Sequence, residues 1–205
     1  MRYFCSVLCL ALPTLASADA CRDEIAALFA GPLDPFQRPA HRQITTVYDP
    51  TGTEIRQMLS LVETPLRTIA GQPSQNWFTM AIDQNVWNGP SPDGPWTNAG
   101  AQMPSDRADA MKQVLEDQIA NLSDTSCHGS DASGLIRYTY RTVTNPDASG
   151  SYFGSLDRVT LDPNIGQIVE FDRTEFINPW TEGISMERWL IKVEFDPSIA
   201  VNPPE

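Results

Sequence analysis

The sequence predicts an α+β domain that is mainly β: a curved antiparallel sheet covered by one long and one short helix. Three observations carry this. Residues 135–144 and 186–196 alternate strictly, the pattern of a strand with one buried face. Ile136, Tyr138 and Tyr140 oppose Arg137, Thr139 and Arg141; Trp189, Ile191, Val193 and Phe195 oppose Arg188, Leu190, Lys192 and Glu194. Seventeen prolines and twelve glycines break the chain into short extended runs. One segment, 105–122, instead repeats its apolar residues at spacings of three and four: Ala108, Met111, Leu115, Ile119 and Leu122, widened by Val114.

The elements follow in order. Residues 19–31 read as the short helix. Asp19 can cap it, Asp23 and Glu24 suit its first turns, Cys21, Ile25 and Leu28 share a face with Phe29 beside it, and Gly31 ends it. The proline-rich stretch 32–41 is an irregular connection. A hairpin pairs 42–49 with 53–64 around Asp49-Pro50-Thr51-Gly52, where proline presets φ and glycine supplies a positive one. Short strands are expected at 66–70, 77–82 and 84–88, with a loop at 89–95 and an extended chain resuming at Trp96 and Thr97. The long helix, 105–122, has Ser105 as its N-cap. The polar stretch 123–134, which contains Cys127, is read as connection. Strands at 135–144, 151–161, 167–176 and 186–196 complete the sheet, and 201–205 is a proline-containing tail. Strands joined by short turns pair antiparallel, and an up-and-down meander is the simplest topology.

The N-terminus reads as an export signal. Arg2 is a short basic region, residues 3–15 are apolar but too short to span a bilayer, and Ala16-Ser17-Ala18 is a small-residue cleavage site. The expected organisation is a signal peptide over 1–18 and a single domain over 19–205, periplasmic or secreted and cut near Ala18. Cys5 and Cys9 leave with the signal. Cys21 and Cys127 remain in an oxidising compartment and are expected to form a structural disulfide across roughly one hundred residues. A net charge of −12 argues against nucleic acid and anionic lipid surfaces as partners. The mature chain is expected to be a monomer that does not cross the membrane.

Such a sheet has one greasy face, and two helices are few covers for it. Whatever they leave bare is an apolar cavity or a partner-binding face. The segments Trp87…Gly94-Pro95-Trp96, Leu161-Asp162-Pro163-Asn164-Ile165-Gly166-Gln167-Ile168 and Trp189-Leu190-Ile191-Lys192-Val193-Glu194-Phe195-Asp196 resemble the strand motifs of the outer-membrane lipoprotein carrier (LolA/LolB-like) superfamily and its proteobacterial periplasmic relatives. The order of elements resembles it too. The resemblance covers most of the mature chain. It implies an incomplete β-barrel, a LolA-like half-barrel with helices as its lid, that holds acyl chains or other apolar groups in the cavity. It implies architecture and ligand type, not a particular cargo.

No catalytic constellation emerges. His41 and His128 lack further ligands at metal-binding spacing, so neither a metal nor a cofactor is expected. Asp162-Pro163-Asn164-Ile165-Gly166 reads as a hairpin turn rather than a calcium loop. Glu170, Asp172 and Glu175 read as the solvated side of a strand rather than a hydrolase's carboxylates. Arg137 and Arg141 read as solvated-face residues, with an anionic-headgroup site at the cavity rim as the other reading. The expected function is therefore non-enzymatic: binding or carrying a lipid, acyl chain or lipoprotein. The cavity candidates are Met111, Leu115, Ile119, Trp87, Trp96, Tyr138, Tyr140, Trp189 and Ile191. The alternative is a structural or interaction module that binds another protein of the cell envelope and takes no small ligand.

Overall fold

The computed structural model describes residues 16–178 and 183–204. Its elements are α1 (Ala16–Leu28), β1 (His41–Tyr48), β2 (Glu54–Thr64), β3 (Arg67–Gln72), β4 (Trp77–Ile82), β5 (Asn85–Gly89), β6 (Thr97–Gln102), α2 (Arg107–Ala120), β7 (Ser123–His128), β8 (Ile136–Val143), β9 (Gly154–Asp162), β10 (Gln167–Ile177), β11 (Ile184–Ser185) and β12 (Arg188–Phe195). All strands join one antiparallel sheet in the order β6-β5-β4-β3-β2-β1-β12-β10-β9-β8-β7, with β11 beside β10. The sheet is open, with β6 and β7 at its edges. The two helices cover thirteen and fourteen of the described residues. The apolar leader at residues 3–15 lies outside the described residues, and the proposed cleavage site falls in the first turn of α1.

The topology departs from a plain meander in two ways. The last long strand, β12, inserts between β1 and β10 and so splices two meanders together. The chain also passes from one edge of the sheet to the other between β6 and β7, by way of α2. Eleven strands lie along that path, so in a flat sheet the edges would stand about 48 Å apart. The helix supplies about 21 Å. Bridging residues 103–106 and 121–122 takes eight Cα–Cα steps, about 28 Å at full stretch. A flat sheet would therefore need the link drawn straight, whereas residues 105–106 and 121 form turns, so the sheet bends around the helix.

Register shows which side chains share a face. Ile191 lies opposite Phe171 and Thr45, and beyond them Val159, Tyr138 and Met58. This is the inner face, toward the helices. Its core joins Cys21 and Ile25 of α1, Phe29 just after it and Leu33 to Tyr138, Tyr140, Val159, Ile168, Phe171, Ile191 and Val193. Lys192, one residue from Ile191, opposes Ile44 and then Leu59 on the outer face. From Leu61 the same face continues through Ile69, Met80 and Trp87. These residues form a second core with Phe78, Ile82 and Trp96. The two halves of the sheet thus bury opposite faces.

The cover of the second core is the C-terminal tail. Val201 is 1% exposed within it. Its backbone is held from both ends: its N–H donates to Glu63 Oε2 at 2.7 Å, and its carbonyl accepts from Arg67, which also pairs with Glu63. The segment read as a loose tail is a core plug.

Three turns share one construction. In Asp49-Pro50-Thr51-Gly52-Thr53, Asp131-Ala132-Ser133-Gly134-Leu135 and Asp147-Ala148-Ser149-Gly150-Ser151, the aspartate Oδ1 accepts from the N–H two residues on, the hydroxyl of that residue and the N–H four residues on. The glycine stands at φ 86°, 81° and 80° respectively, the left-handed region that a side chain disfavours.

Cys127 lies in β7 rather than in a connection. The pattern that hides it is physical: β7 is a polar edge strand, Ser-Asp-Thr-Ser-Cys-His, irregularly paired between Ser123 and Ser126 and with Asp124 at φ 50°. Such edges resist pairing with other chains and carry no apolar alternation. The Cys21–Cys127 disulfide, with Cα atoms 5.6 Å apart, consequently pins α1 to the sheet edge. It does not join the two helices.

Two outcomes are expected in chemical denaturation. Replacing both cysteines by serine lowers stability by about 2–5 kcal/mol. Val201→Asp, which puts a charge against Ile69 and Met80, lowers it by roughly 2–4 kcal/mol, whereas Asn202→Asp beside it is neutral.

Candidate functional site

The inner face is only partly filled. α1 occupies the β7–β8 end, where Phe29 meets Tyr140 edge-on at 5.6 Å and the Tyr138 hydroxyl donates to Glu24 Oε1 at 2.7 Å. Burial and that carboxylate push the Tyr138 hydroxyl up to about 12. α2 rests chiefly on β8. It adds Leu115 and Ile119 to the core but leaves space along its N-terminal half.

That helix is held unequally at its two ends. At the C-terminal end the buried Asp117 carboxylate accepts from the backbone N–H of Asn145 at 3.0 Å, from its side chain at 2.7 Å and from Gln113 at 3.0 Å. Asn121 donates to the Val143 carbonyl at 2.9 Å. At the N-terminal end the cap residue is Asp106, one place beyond the expected Ser105, and its side chain makes no capping bond. The first turns of α2 are fastened less firmly than the last.

Two hollows flank this arrangement, each of about 350 Å³, and both have Gln118 of α2 in their walls. The first is a groove between α2 and the irregular segment that follows α1. Leu33, Pro35, Ala110, Met111, Val114 and Leu115 line it, with Arg38 and Arg107. The second lies over the ends of β9, β10 and β12, and is walled by Phe153, Phe176, Ile177 and Trp189, with Ser155, Arg173 and Glu187. A volume of this size is at the small end of ligand sites. A larger space of about 500 Å³, lined by Ser149, Gly150, Ser151, Tyr152, Ile177, Asn178, Gly183 and Ile184, sits among polar turns and has no charged side chain in its wall.

A strand irregularity shapes the second hollow. Pairing between β9 and β10 slips after Thr174, and Glu175 takes φ 53°. The extra residue reverses the alternation. Glu175 therefore stays on the outer face, 2.6 Å from Arg141, and Phe176 turns inward to stack on Trp189 at 4.8 Å.

The charges beneath α2 are few and deeply set. Asp157 is 2% exposed and accepts two hydrogen bonds from Arg173, at 2.7 and 3.1 Å, and one from Ser155 at 3.0 Å. Breaking such a buried pair from one side costs about 3–5 kcal/mol. Burial, reinforced by Asp157, drives the neighbouring Tyr140 hydroxyl well above its ordinary value, so it stays protonated. Arg38 is enclosed without a carboxylate in contact. Its guanidinium donates to the carbonyls of Pro32 and Leu33 at 2.9 and 3.1 Å and lies over the Phe171 ring. Burial pulls its pKa down to about 10, which still leaves it charged at neutral pH. Arg107 Nη1 is buried and has no hydrogen-bond partner among the described residues.

The outer face is different in kind. Arg188 and Arg158 both reach Asp172, Arg141 bridges Asp124 and Glu175, and Arg137 pairs with Asp131. Arg137 and Arg141 are thus solvated-face residues with partners and do not border the hollows. Glu170, Asp172 and Glu175 share that outer face and do not converge as a catalytic pair.

The sequence candidates divide three ways. Met111 and Leu115 line the groove and Trp189 the second hollow. Tyr138, Tyr140 and Ile191 are buried in the packed inner core, with Ile119 against it. Trp87 and Trp96 sit on the opposite face, in the second core, and the structure does not bring them to either hollow. Sequence reasoning passed over Arg38, Arg107 and the Arg173–Asp157 pair. Arg107 carried a signal: it is the first residue of α2, where the helix dipole disfavours a cation.

His41 is buried at the start of β1, where Nδ1 meets the Pro39 carbonyl at 2.8 Å and the ring packs on Phe195. Burial lowers its pKa below 6.5. The unfolded chain therefore takes up the proton first, and stability contributed by the neutral ring is full above pH 6.5 and lost as the pH falls below it. Urea melts at about pH 7.5 and about pH 5 should show a drop that His41→Gln reduces, since most carboxylates titrate lower still.

Among the described residues no three His, Cys, Asp or Glu side chains are grouped to hold a metal ion, and no helix is long and apolar enough to cross a membrane. No family model matches this chain, and no curated protein matches it either.

Proposed function

We propose that this is an exported, non-enzymatic binding or carrier protein of the bacterial envelope, which holds an apolar ligand beneath α2. One observation carries the reading. An apolar groove of about 350 Å³ runs between α2 and the segment after α1, and that helix is fastened firmly only at its C-terminal end. A ligand entering there needs only the weakly held turns of α2 to lift, while the Asp117–Asn145 anchor keeps the helix attached. The second hollow, behind Gln118, gives a longer chain somewhere to extend.

Further support comes from the frame around the groove. The unclosed antiparallel sheet with two helices supports the half-barrel architecture that the lipoprotein-carrier resemblance implies. The disulfide suits an oxidising compartment such as the periplasm. The disulfide also keeps α1 out of the motion, so that α1 and the core beneath it act as the fixed wall.

The reading is tested by binding. Protein purified without detergent should carry an apolar adduct in native mass spectrometry or bind a fluorescent fatty acid with one-to-one stoichiometry. Ala110→Trp, which fills the groove from the helix side, should abolish uptake and leave the melting temperature within a few degrees. Absence of both adduct and probe binding in the unaltered protein would end the carrier reading.

A further inference from the structure

The groove under α2 has a charge pattern that an apolar ligand alone leaves without purpose. Its walls hold two guanidinium groups and no carboxylate, in a chain of net charge −12. Arg38 donates to two backbone carbonyls, lies over an aromatic face and has no carboxylate in salt-bridge contact, with Asp34 and Arg173 acting on it at longer range. Asp34, the nearest acid to it in sequence, spends its Oδ1 on the Phe36 N–H at 2.8 Å. Arg107 buries a nitrogen that donates to nothing among the described residues. It does so at the N-terminus of α2, which is itself positive by virtue of its unpaired backbone N–H groups. Lys112 stands over Phe36, on the neighbouring segment, and is paired with Asp109 at 3.5 Å, so these two charges cancel. Asp106 is exposed and outside the groove's walls.

Two half-buried guanidinium groups in one wall, one of them at a helix N-terminus, favour an anion in the groove. Guanidinium groups match carboxylate and phosphate oxygens in geometry as well as charge. The apolar remainder of the groove matches a hydrocarbon chain.

We propose that this groove binds a single-tailed amphiphile with an anionic head, the carboxylate or phosphate held by Arg38 and Arg107 and the tail lying along Met111, Val114 and Leu115. The proposal rests on the carrier reading and adds a selection rule to it: the ligand is chosen by its head charge. No covalent step is involved. The arginines replace the water around the head, and the tail leaves water for the groove.

The experiment uses the full mature chain with its disulfide intact. Four probes of equal tail length are compared below their micelle-forming concentrations: hexadecanoate, hexadecyl phosphate, methyl hexadecanoate and hexadecyltrimethylammonium. Each competes with a neutral fluorescent apolar dye. The two anions are expected to bind roughly tenfold or more tightly than the methyl ester, with the quaternary amine weakest. Whichever anion binds tighter identifies the head class. Arg107→Gln should bring the anions to the level of the ester. Arg38 also braces the Pro32 and Leu33 carbonyls, so Arg38→Gln is read only with its melting curve, and Arg107→Gln decides. If ester and anions bind alike, or if the preference survives Arg107→Gln, the head-group proposal fails while the carrier reading stands. If no probe displaces the dye and the dye itself does not bind, both fail together.

Discussion

The structure depends on a reach problem. The chain leaves the sheet at one edge, β6, and must re-enter at the opposite edge, β7, with a fourteen-residue helix as most of the span. Bending the sheet solves this, and the bend creates an inside. Once there is an inside, α2 lies across it of necessity, because α2 is the link itself. Its C-terminal end arrives beside β8 and is tied there through Asp117 and Asn145. Its N-terminal end approaches from β6 and has no comparable tie. A lid with a fixed end and a looser end is thus a product of connectivity, before any question of ligand arises.

The same bend divides the core. The β8, β9, β10 and β12 side chains that point inward meet α1 and form one packed cluster. On the other half, β2–β5 turn Ser60, Ala70 and Thr79 inward in one row and bury Leu61, Ile69, Met80 and Trp87 on the outside with Val201. Neither hollow beside α2 has a β2–β5 residue in its wall. Phe176 shapes the wall of the second, and it points inward because Glu175 takes up the extra residue in a left-handed conformation.

Much of the strand content was legible because period-two alternation is a local signal that any half-buried strand must carry. Residues 135–144 and 186–196 show this, as does the amphipathic stripe of α2. What alternation cannot tell is which side of the sheet an apolar set faces. Trp87 and Trp96 read like cavity residues for that reason, and only the register from Lys192 to Trp87 shows them outside. β7 was illegible because an edge strand in polar surroundings has no buried face to advertise. Val201 was illegible because a plug needs one apolar residue and a distant clamp, Glu63 with Arg67, far away in sequence. The arginines of the groove drew no attention in the sequence because charged residues are usually solvated. Their meaning comes from what surrounds them, which is set by tertiary structure.

The aspartate turns bear on how the acidic composition is understood. A one-residue slip in any hairpin would exchange the inner and outer sets, and in a sheet that buries both sides no slipped pairing has a dry face to fall back on. Asp49, Asp131 and Asp147 lock their loops through bonds that stay within five residues, and Asp162 and Asp196 do part of the same work with Asn164 and Ser198. Hydrogen bonds received by the carboxylates hold Asp49, Asp131, Asp147 and Asp196 below the usual carboxylate range, so they keep their charge well into mild acid. Part of the protein's negative charge is thus an alignment device, a set of stitches that stops the ribbon from sliding, and it speaks to how the sheet is threaded before it speaks to what the protein meets.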